Sequence, residues 1–392
     1  MEAAPSELSD WAHLPGTAVQ LISQKLKLVT DYVRFRAVCS PWRSASVPKP
    51  RHLPPQLPWL LIPWDSRDTE DDGIRLFYDL WESKMRKLHL PETIGMVCWS
   101  SNNGWLFLSD AQNEEILLLN PLTRARIRFP LFAQLRVRVG FRGHSGDPHY
   151  HDFWRHPCLG DLEFGIRKVT SSADPTNPDC LITVFPWRCH ALFCCRVRDH
   201  CWTPIKISPS MDATYYNGRF YLLYDNVMVI IDSDNPQDSE ERIFPWLEPN
   251  LIADKKFLIE GKSAVYAVHV VLEDEPAADY LEENTVGCLR KKTELYKFQE
   301  QLLKLEKVTD TGSQIIFCGR DTCPYLAVCS DDWEFLDGGC VYIVVRALDE
   351  SHYSICMAKL DDFELKSVVS NLGKGSQNYS SARPMWFQPS PF

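Results

Sequence analysis

A group of histidines and aspartates in the middle of the chain has the residue types of a metal site. Its members are His144, His149, His151, His156, Asp147 and Asp152. On an extended strand His149 and His151 would lie on one side, and an aspartate could complete a zinc or nickel shell. Glycine and proline at positions 140, 143, 146, 148 and 157 are typical of a surface insertion. We therefore expect an insertion at about 141–162 that holds no functional metal.

A second group, rich in cysteine, lies within thirteen residues. Its members are Cys189, His190, Cys194, Cys195, His200 and Cys201. None of them has the C-x-x-C spacing of a zinc knuckle. Cys194 and Cys195 would point to opposite faces of a strand and could not bind one ion without distortion. We expect thiols buried in a core, and the scatter of 14 cysteines favours a reducing compartment, cytoplasm or nucleus.

The common catalytic motifs are absent from the sequence. Gly373 to Ser376 resembles part of a phosphate-binding loop, but Val368 and Gly375 stand where that motif needs glycine and a hydroxyl residue. Neither a Gly-x-Ser-x-Gly nor a His-Glu-x-x-His pattern occurs. The sequence therefore predicts a protein that is not an enzyme and needs no cofactor. A metal-dependent enzyme, with residues converging from distant positions, stays open as an alternative.

Composition limits the class of protein further. Of the 392 residues 45% are apolar and 24% charged, as in ordinary globular proteins, and an aromatic content of 12% favours strands. The net charge of −10 argues against nucleic acid as the main partner. No run of 18 apolar residues predicts a membrane span, and the first residues do not form a secretion signal.

The first fifty residues have a helical pattern. Apolar residues at 18, 21, 22 and 26 recur at steps of three and four, and a second helix places Val33, Ala37 and Val38 on one face. Two short helices bury too little surface to be stable alone. They must pack either on the following domain or on another protein, and periodicity leaves both alternatives open.

The residues of this segment resemble a known motif. Trp11-x-x-Leu14-Pro15, then Leu21-Ile22 and Leu26, then Asp31 to Cys39 and Trp42-Arg43 are similar to the F-box. The resemblance implies three helices at 10–46 that dock on the Skp adaptor and, through it, on cullin. It assigns the adaptor contacts to Leu14, Pro15, Leu21, Ile22, Leu26, Val33, Phe35, Val38 and Trp42. Residues 16–19 depart from the motif, since many F-boxes have an acidic residue and large aliphatics there.

Five prolines in the twelve residues 47–58 separate this segment from the rest. Fixed φ angles and missing N–H donors exclude a helix and predict an extended, semi-rigid spacer. We therefore divide the chain into a helical domain at 1–47, a linker at 48–58 and a β-rich domain at 59–392.

The β-rich part consists of short apolar runs in six groups of about 50 residues. Asn102-Asn103-Gly104 and Asn217-Gly218 are hairpin turns between such runs. The first and fourth groups hold three runs, the sixth holds five and the others four, and this spacing predicts a β-propeller of six blades, with seven possible. A pair of β-sandwiches or a large barrel would also use short alternating strands and stay open as alternatives.

The β-rich part also resembles a plant-specific domain of unknown function that follows the F-box in many plant proteins. The similarity rests on residues 101–106, 119–124, 202–205, 216–221 and 384–387. It implies a β-propeller that binds a target protein, and therefore a substrate receptor of a Skp–cullin–F-box ubiquitin ligase. The alternative is a scaffold protein with a degenerate F-box that works outside any ligase. The sequence does not name the substrate.

Overall fold

Six β-sheets form a ring in the computed structural model, and three short helices pack against it. The structure describes residues 11–48, 50–66, 68–110, 115–130, 139–142, 148–151, 166–186, 191–206, 212–224, 227–234, 242–245, 255–261, 264–272, 291–300, 302, 304–309, 312–319, 326–333, 338–346, 352–359, 366–372 and 384–390. Within these residues no helix is long and apolar enough to span a membrane.

The helices follow from local signals in the first fifty residues. A 3₁₀ turn at Trp11–His13 precedes α1 (Gly16–Ser23), α2 (Val29–Ala37) and α3 (Ser40–Ala45). Pro15 occupies the position before α1, and α3 has Pro41 in its first turn, where a missing N–H costs nothing. Two further 3₁₀ turns lie at Pro91–Thr93 and Ser330–Asp332.

The strands group into blades in chain order, except at the two ends. Blade 1 holds β1 (Trp59–Leu61), β2 (Ile74–Asp79), β3 (Lys84–His89) and β27 (Met385–Phe387); blade 2 holds β4 (Met96–Asn102), β5 (Trp105–Asp110), β6 (Ile116–Leu119) and β7 (Arg126–Phe129). A separate hairpin holds β8 (Val139–Arg142) and β9 (Pro148–His151), and blade 3 holds β10 (Ile166–Ser171), β11 (Leu181–Pro186), β12 (Ala191–Arg196) and β13 (Thr203–Lys206).

The second half of the chain supplies the other three blades. Blade 4 holds β14 (Asp212–Tyr216), β15 (Arg219–Tyr224), β16 (Val227–Asp232) and β17 (Arg242–Pro245); blade 5 holds β18 (Lys255–Glu260), β19 (Val265–Leu272), β20 (Lys291–Gln299) and β21 (Lys304–Val308). Blade 6 holds β22 (Gln314–Gly319), β23 (Leu326–Cys329), β24 (Cys340–Arg346), β25 (Tyr353–Lys359) and β26 (Lys366–Leu372).

Six apolar clusters fill the six spaces between neighbouring blades. Blades 1 and 2 share one cluster, blades 2 and 3 the next, and the series returns to blade 1 through a cluster shared with blade 6. On β5, for example, Trp105 and Phe107 face blade 3 while Leu106 and Leu108 face blade 1. Because both faces of each sheet are covered, the central strands are apolar at nearly every position. The predicted fold, mainly β with a helical N-terminus and a six-bladed propeller, is confirmed.

Two predicted turns have the backbone geometry that their residues favour. Asn103 and Gly104 have φ values of 48° and 81°, and Asn217 and Gly218 have 48° and 80°. Positive φ at both central residues defines the hairpin turn whose twist matches the flanking strands, and Asn-Gly adopts it at the lowest cost. These two turns fix the register of β4 with β5 and of β14 with β15.

Three strand pairings depart from the sequence grouping. The C-terminal strand β27 joins blade 1 and pairs with β1, so that Leu60 lies opposite Trp386. In blade 6, β22 pairs with β24 in parallel and β23 lies on the other side of β22, which gives five strands in one sheet. Blade 4 gains β17, which had no place among the predicted strands. Each departure involves a partner that local periodicity does not specify.

We predict that Trp386→Ala destabilises the whole ring. The Trp386 side chain is fully buried in the cluster between blades 6 and 1, and its indole N–H donates to the Cys318 carbonyl at 3.0 Å. Loss of a buried indole costs about 3–5 kcal/mol. Urea unfolding measures the effect, with Trp11→Ala as the control because Trp11 is 61% exposed. Equal midpoints for the two variants would contradict closure by β27.

Candidate functional site

The three helices form a small unit with its own core. Val19, Val29 and Tyr32 are each 1% exposed, and the Tyr32 hydroxyl donates to the Val47 carbonyl at 2.7 Å. Phe35 is also buried, and its ring lies 4.5 Å from the Trp42 ring, centroid to centroid. These contacts hold the helices together but cover only one side of each.

The helical unit also exposes large apolar side chains to solvent. Among the described residues, large hydrophobic side chains are exposed at eleven positions, and six of those lie in residues 11–47. The six are Trp11, Leu21, Ile22, Val33, Val38 and Val47. So many exposed apolar side chains in one short segment indicate a protein interaction site.

The nine predicted adaptor contacts fall into three classes of exposure. Pro15, Leu21, Ile22, Val33 and Val38 are exposed, whereas Leu14, Leu26 and Trp42 are half-buried. Phe35 is buried and supports the surface from within. Trp42 is held by Phe35 and by a bond from its indole N–H to the Trp11 carbonyl at 3.0 Å. The F-box resemblance includes Trp11 but assigns it no adaptor contact. In the structure Trp11 is among the most exposed apolar residues of the helical unit.

The proline-rich segment joins the helical unit to the propeller through Gln56. The Gln56 side chain accepts from the Val29 N–H at 2.7 Å and donates to the carbonyls of Lys27 and Pro54 at 3.0 and 2.7 Å. Its backbone carbonyl accepts from the Gln388 amide at 3.0 Å. Gln56 is 5% exposed, and nothing in the sequence marks it as a joint.

Apolar contacts strengthen the same joint. Leu28, at the start of α2, packs against the cluster shared by blades 6 and 1, which also contains Leu57. His52 contacts the other end of the unit, where its ring nitrogen lies 3.0 Å from the Ser23 carbonyl. The helical unit thus packs on the propeller at this joint, which is the first of the two alternatives that periodicity left open. Packing on another protein stays a prediction.

At the inner end of the blades, a buried ion pair links three strands. The Lys168 ammonium on β10 lies 3.2 and 3.3 Å from the Asp212 carboxylate oxygens on β14, and it donates to the Leu258 carbonyl on β18 at 3.3 Å. Asp212 also accepts from the Leu258 N–H at 2.7 Å. Both charged side chains are at most 4% exposed. These bonds hold the inner strands of blades 3, 4 and 5 together. Because the two buried charges bind each other, the pair is not available as an acid or base for a substrate.

Three buried thiols of the propeller are not poised for chemistry. Cys194 and Cys195 point to opposite faces of β12, into the cluster with blade 4 and the cluster with blade 2 respectively. Burial raises the pKa of each of these thiols to about 12, and that of Cys318 to about 12. Protonated thiols are poor nucleophiles and poor metal ligands. The prediction of buried core thiols is therefore confirmed for Cys194 and Cys195 and wrong for Cys201, which is exposed.

The possible metal sites are only partly within the described residues. Among those residues, no group of three or more histidine, cysteine or acidic side chains could hold a metal ion. His144, Asp147, Asp152, His156, Cys189 and His190 lie outside the described residues, as does Gly373 to Ser376. Of His149 and His151 only the backbone is described, as part of β9.

Comparisons with known proteins identify relatives of the chain. A family sequence model described as the KIB1-4 beta-propeller matches residues 77–367, about three quarters of the chain. F-box protein SKIP23 from Arabidopsis thaliana is 28% identical over 370 residues, which cover 85% of this chain and 83% of that protein. F-box protein At2g17036 from the same plant is 26% identical over 335 residues, covering 80% and 78%.

Solved structures give only a weak likeness. TolB from Acinetobacter baumannii aligns with 85% of this chain and 66% of its own, at a TM-score of 0.39 and 11% identity. A likeness at that level says nothing about function.

We predict that Lys168→Met destabilises the ring by about 3–5 kcal/mol, because Asp212 would keep a buried charge without its cation. Urea unfolding measures the loss. The double variant Lys168→Met/Asp212→Asn removes the stranded charge and should recover most of it. A double variant no more stable than the single one would contradict the role of the ion pair.

We predict that Glu260 makes the stability fall as pH rises from about 5 to about 7. Glu260 reaches solvent at the end of β18, but loss of hydration against the surrounding protein raises its pKa to about 7, while the nearby Lys168 charge opposes this. Because the folded protein then binds the proton more tightly than the unfolded chain, Glu260 favours folding at acid pH and loses that effect as it ionises. Contact with solvent screens the effect, so we expect a small one. The difference between the unfolding midpoints at about pH 5 and 8 should change in Glu260→Gln and stay the same in the control Glu70→Gln, which is also exposed. An unchanged profile in Glu260→Gln would contradict the raised pKa.

Proposed function

The chain belongs to the plant F-box proteins that carry the KIB1-4 beta-propeller, and from that premise we propose that it is the substrate-recognition subunit of a Skp–cullin–F-box ubiquitin ligase. The helical unit would bind the Skp adaptor, and the propeller would bind a target protein. The observation that carries the proposal is the group of exposed apolar side chains on the helical unit, a unit that is also joined firmly to the propeller.

The adaptor contact has a plain energetic basis. Leu21 is 63% exposed, Val38 60% and Val33 47%. Burial of such side chains in a partner's groove contributes up to about 1.5–3 kcal/mol each before the costs of ordering. Trp42 and Leu14 are half-buried and would add a smaller new contact, while they hold the exposed residues in place.

The receptor would promote ubiquitination without chemical groups of its own. Fixing a target lysine close to the ubiquitin thioester converts an encounter between two molecules into an effectively intramolecular step. Such a role needs a firm connection between the two binding surfaces. The bonds of Gln56 to α2 and to the C-terminal segment supply one, since they limit movement of the helical unit on the propeller.

The proposal places the protein in the cytoplasm or nucleus. The ten cysteines within the described residues are all free thiols, and most are buried. Reduced thiols fit a reducing compartment, which is where ubiquitin ligases of this class work.

We predict that Val33→Asp weakens binding to a plant Skp adaptor by at least about tenfold, because a carboxylate would be buried without a partner. Ile94→Asp is the matched control, since Val33 and Ile94 are β-branched and both 47% exposed, and Ile94 lies on the propeller. Purified full-length variants are titrated against immobilised adaptor, and their unfolding midpoints are compared to exclude misfolding.

The same titration decides between the ligase role and the scaffold role. Residues 16–19 lack the large aliphatics of many F-boxes, and Val19 is buried inside the helical unit rather than presented outward. If wild-type protein does not bind the adaptor, or if Val33→Asp and Ile94→Asp bind equally well, the ligase role fails. A scaffold protein with a degenerate F-box would then be the better description.

A receptor that cannot bind the adaptor should retain its targets. We predict that full-length Leu21→Asp/Val33→Asp, expressed in plant cells with a proximity-labelling enzyme, enriches proteins whose levels fall when the wild type is expressed. Ile94→Asp is the control, because it should still deliver its targets for degradation. Identical sets of labelled proteins at identical levels for the two variants would contradict a role in protein turnover.

A further inference from the structure

A cavity of about 340 Å³ lies at the joint between the helical unit and the propeller. Its walls come from the start of α2, from Gln56 and Leu57, from blade 1, and from Trp333 in the β23–β24 connection of blade 6. Protein interiors contain few voids larger than one water molecule, and known ligand sites begin at about 300 Å³. The cavity therefore has the size of a small-molecule site.

Indole rings form much of the wall. Trp59 and Trp333 are each 4% exposed, and Trp81 is half-buried. Trp81 is held in place by edge-on contacts with Phe317 and Tyr342, whose ring centroids lie 6.2 and 5.6 Å from its own. Fixed aromatic walls favour a planar aromatic ligand, which can stack or pack edge-on without ordering the site first.

The charges around the cavity cancel. Arg86 Nε donates to Asp79 Oδ2 at 2.8 Å, and Arg86 Nη2 donates to Glu82 at 2.5 Å. Nη2 also lies 2.7 Å from the same Asp79 oxygen, as an ion pair. With Lys27 the lining holds two cations and two carboxylates. An ionic ligand would gain little from such a lining and would lose its hydration, so a neutral ligand is favoured.

The free hydrogen-bonding capacity of the cavity consists of donors. Among the described residues nothing accepts a hydrogen bond from Arg86 Nη1, although the Arg86 side chain is only 10% exposed. The guanidinium lies 4.7 Å from the centroid of the Trp59 ring, which fixes its plane. Thr30 lies in the first turn of α2, where the helix dipole also favours an acceptor. The Gln56 amide is already satisfied on both atoms.

We propose that this cavity binds a neutral, planar aromatic small molecule with a carbonyl-type acceptor directed at Arg86 Nη1. The rings would lie among Trp59, Trp81 and Trp333. Because the walls belong to both the helical unit and the propeller, the bound molecule would contact the two parts at once and stabilise their arrangement. The proposal does not depend on the ligase role.

Calorimetric titration of the full-length protein tests the proposal with three probes. Naphthalene carboxamide has the neutral ring and the acceptor, decanamide has the acceptor without the ring, and naphthalene carboxylate has the ring with a charge. We expect one molecule of naphthalene carboxamide per chain, bound about tenfold more tightly than either other probe. No saturable binding of naphthalene carboxamide, or equal affinity for all three, would overturn the proposal.

A pair of variants locates the binding. Thr30 and Thr17 are each the second residue of a helix, but only Thr30 lines the cavity. Thr30→Trp should fill the cavity and abolish binding, whereas Thr17→Trp should leave it unchanged. Binding that survives Thr30→Trp would place the ligand elsewhere and refute the proposal.

If Thr30→Trp does not fold, the variant Arg86→Lys tests whether the acceptor of the ligand binds Arg86 Nη1. It keeps a cation beside Asp79 but removes the Nη1 donors. The affinity for naphthalene carboxamide should then fall by about tenfold, because its acceptor loses the Nη1 donors. An unchanged affinity for naphthalene carboxamide would overturn the assignment of the acceptor to Arg86.

Discussion

Each blade of this protein is apolar on both faces, and that constraint governs the rest of the structure. A four-stranded sheet with two apolar faces is stable only when another layer covers each face. A ring meets the requirement for all six blades at once, and six clusters between blades are the result. A ring must also close. Strand β27, which contains the fully buried Trp386, closes it by pairing with β1.

The helical unit meets the same requirement only in part. Its core of Val19, Val29 and Tyr32 is too small to cover the helices on all sides. The propeller covers one side through Leu28 and the bonds of Gln56, and the side with Leu21 and Val38 stays exposed. A surface left apolar by a small core is what an adaptor-binding module needs. In the proposed role, the joint with the propeller would transmit the position of the adaptor to the propeller.

Two sets of polar groups in the described part of the propeller serve its structure. Lys168 and Asp212 neutralise each other where three inner strands meet, and burial keeps Cys194 and Cys195 protonated. The joint differs from the inner strands, because Arg86 has donors there that the described residues leave unused.

Local pattern determined a large part of this structure. The spacing of apolar residues specified α1 and α2, while α3 followed only from the F-box resemblance. Alternation specified most strands, and Asn103-Gly104 and Asn217-Gly218 specified two turns, because these features depend on neighbours a few residues away. The grouping of strands gave the number of blades. The F-box pattern gave nine adaptor contacts but could not separate the exposed Leu21 from the buried Phe35, since both are simply apolar residues of short helices.

Tertiary structure alone decided which distant residues meet. Gln388 bonds to Gln56 across 332 positions of sequence, β22 pairs in parallel with β24, and Lys168 finds Asp212 only because blades 3 and 4 are neighbours in the ring. The cavity at the joint likewise combines Thr30, Trp81 and Trp333, which share no local pattern. The physical reason is that periodicity records which face of an element is buried. The partner that buries it is set by the closure of the ring, which acts on the whole chain at once.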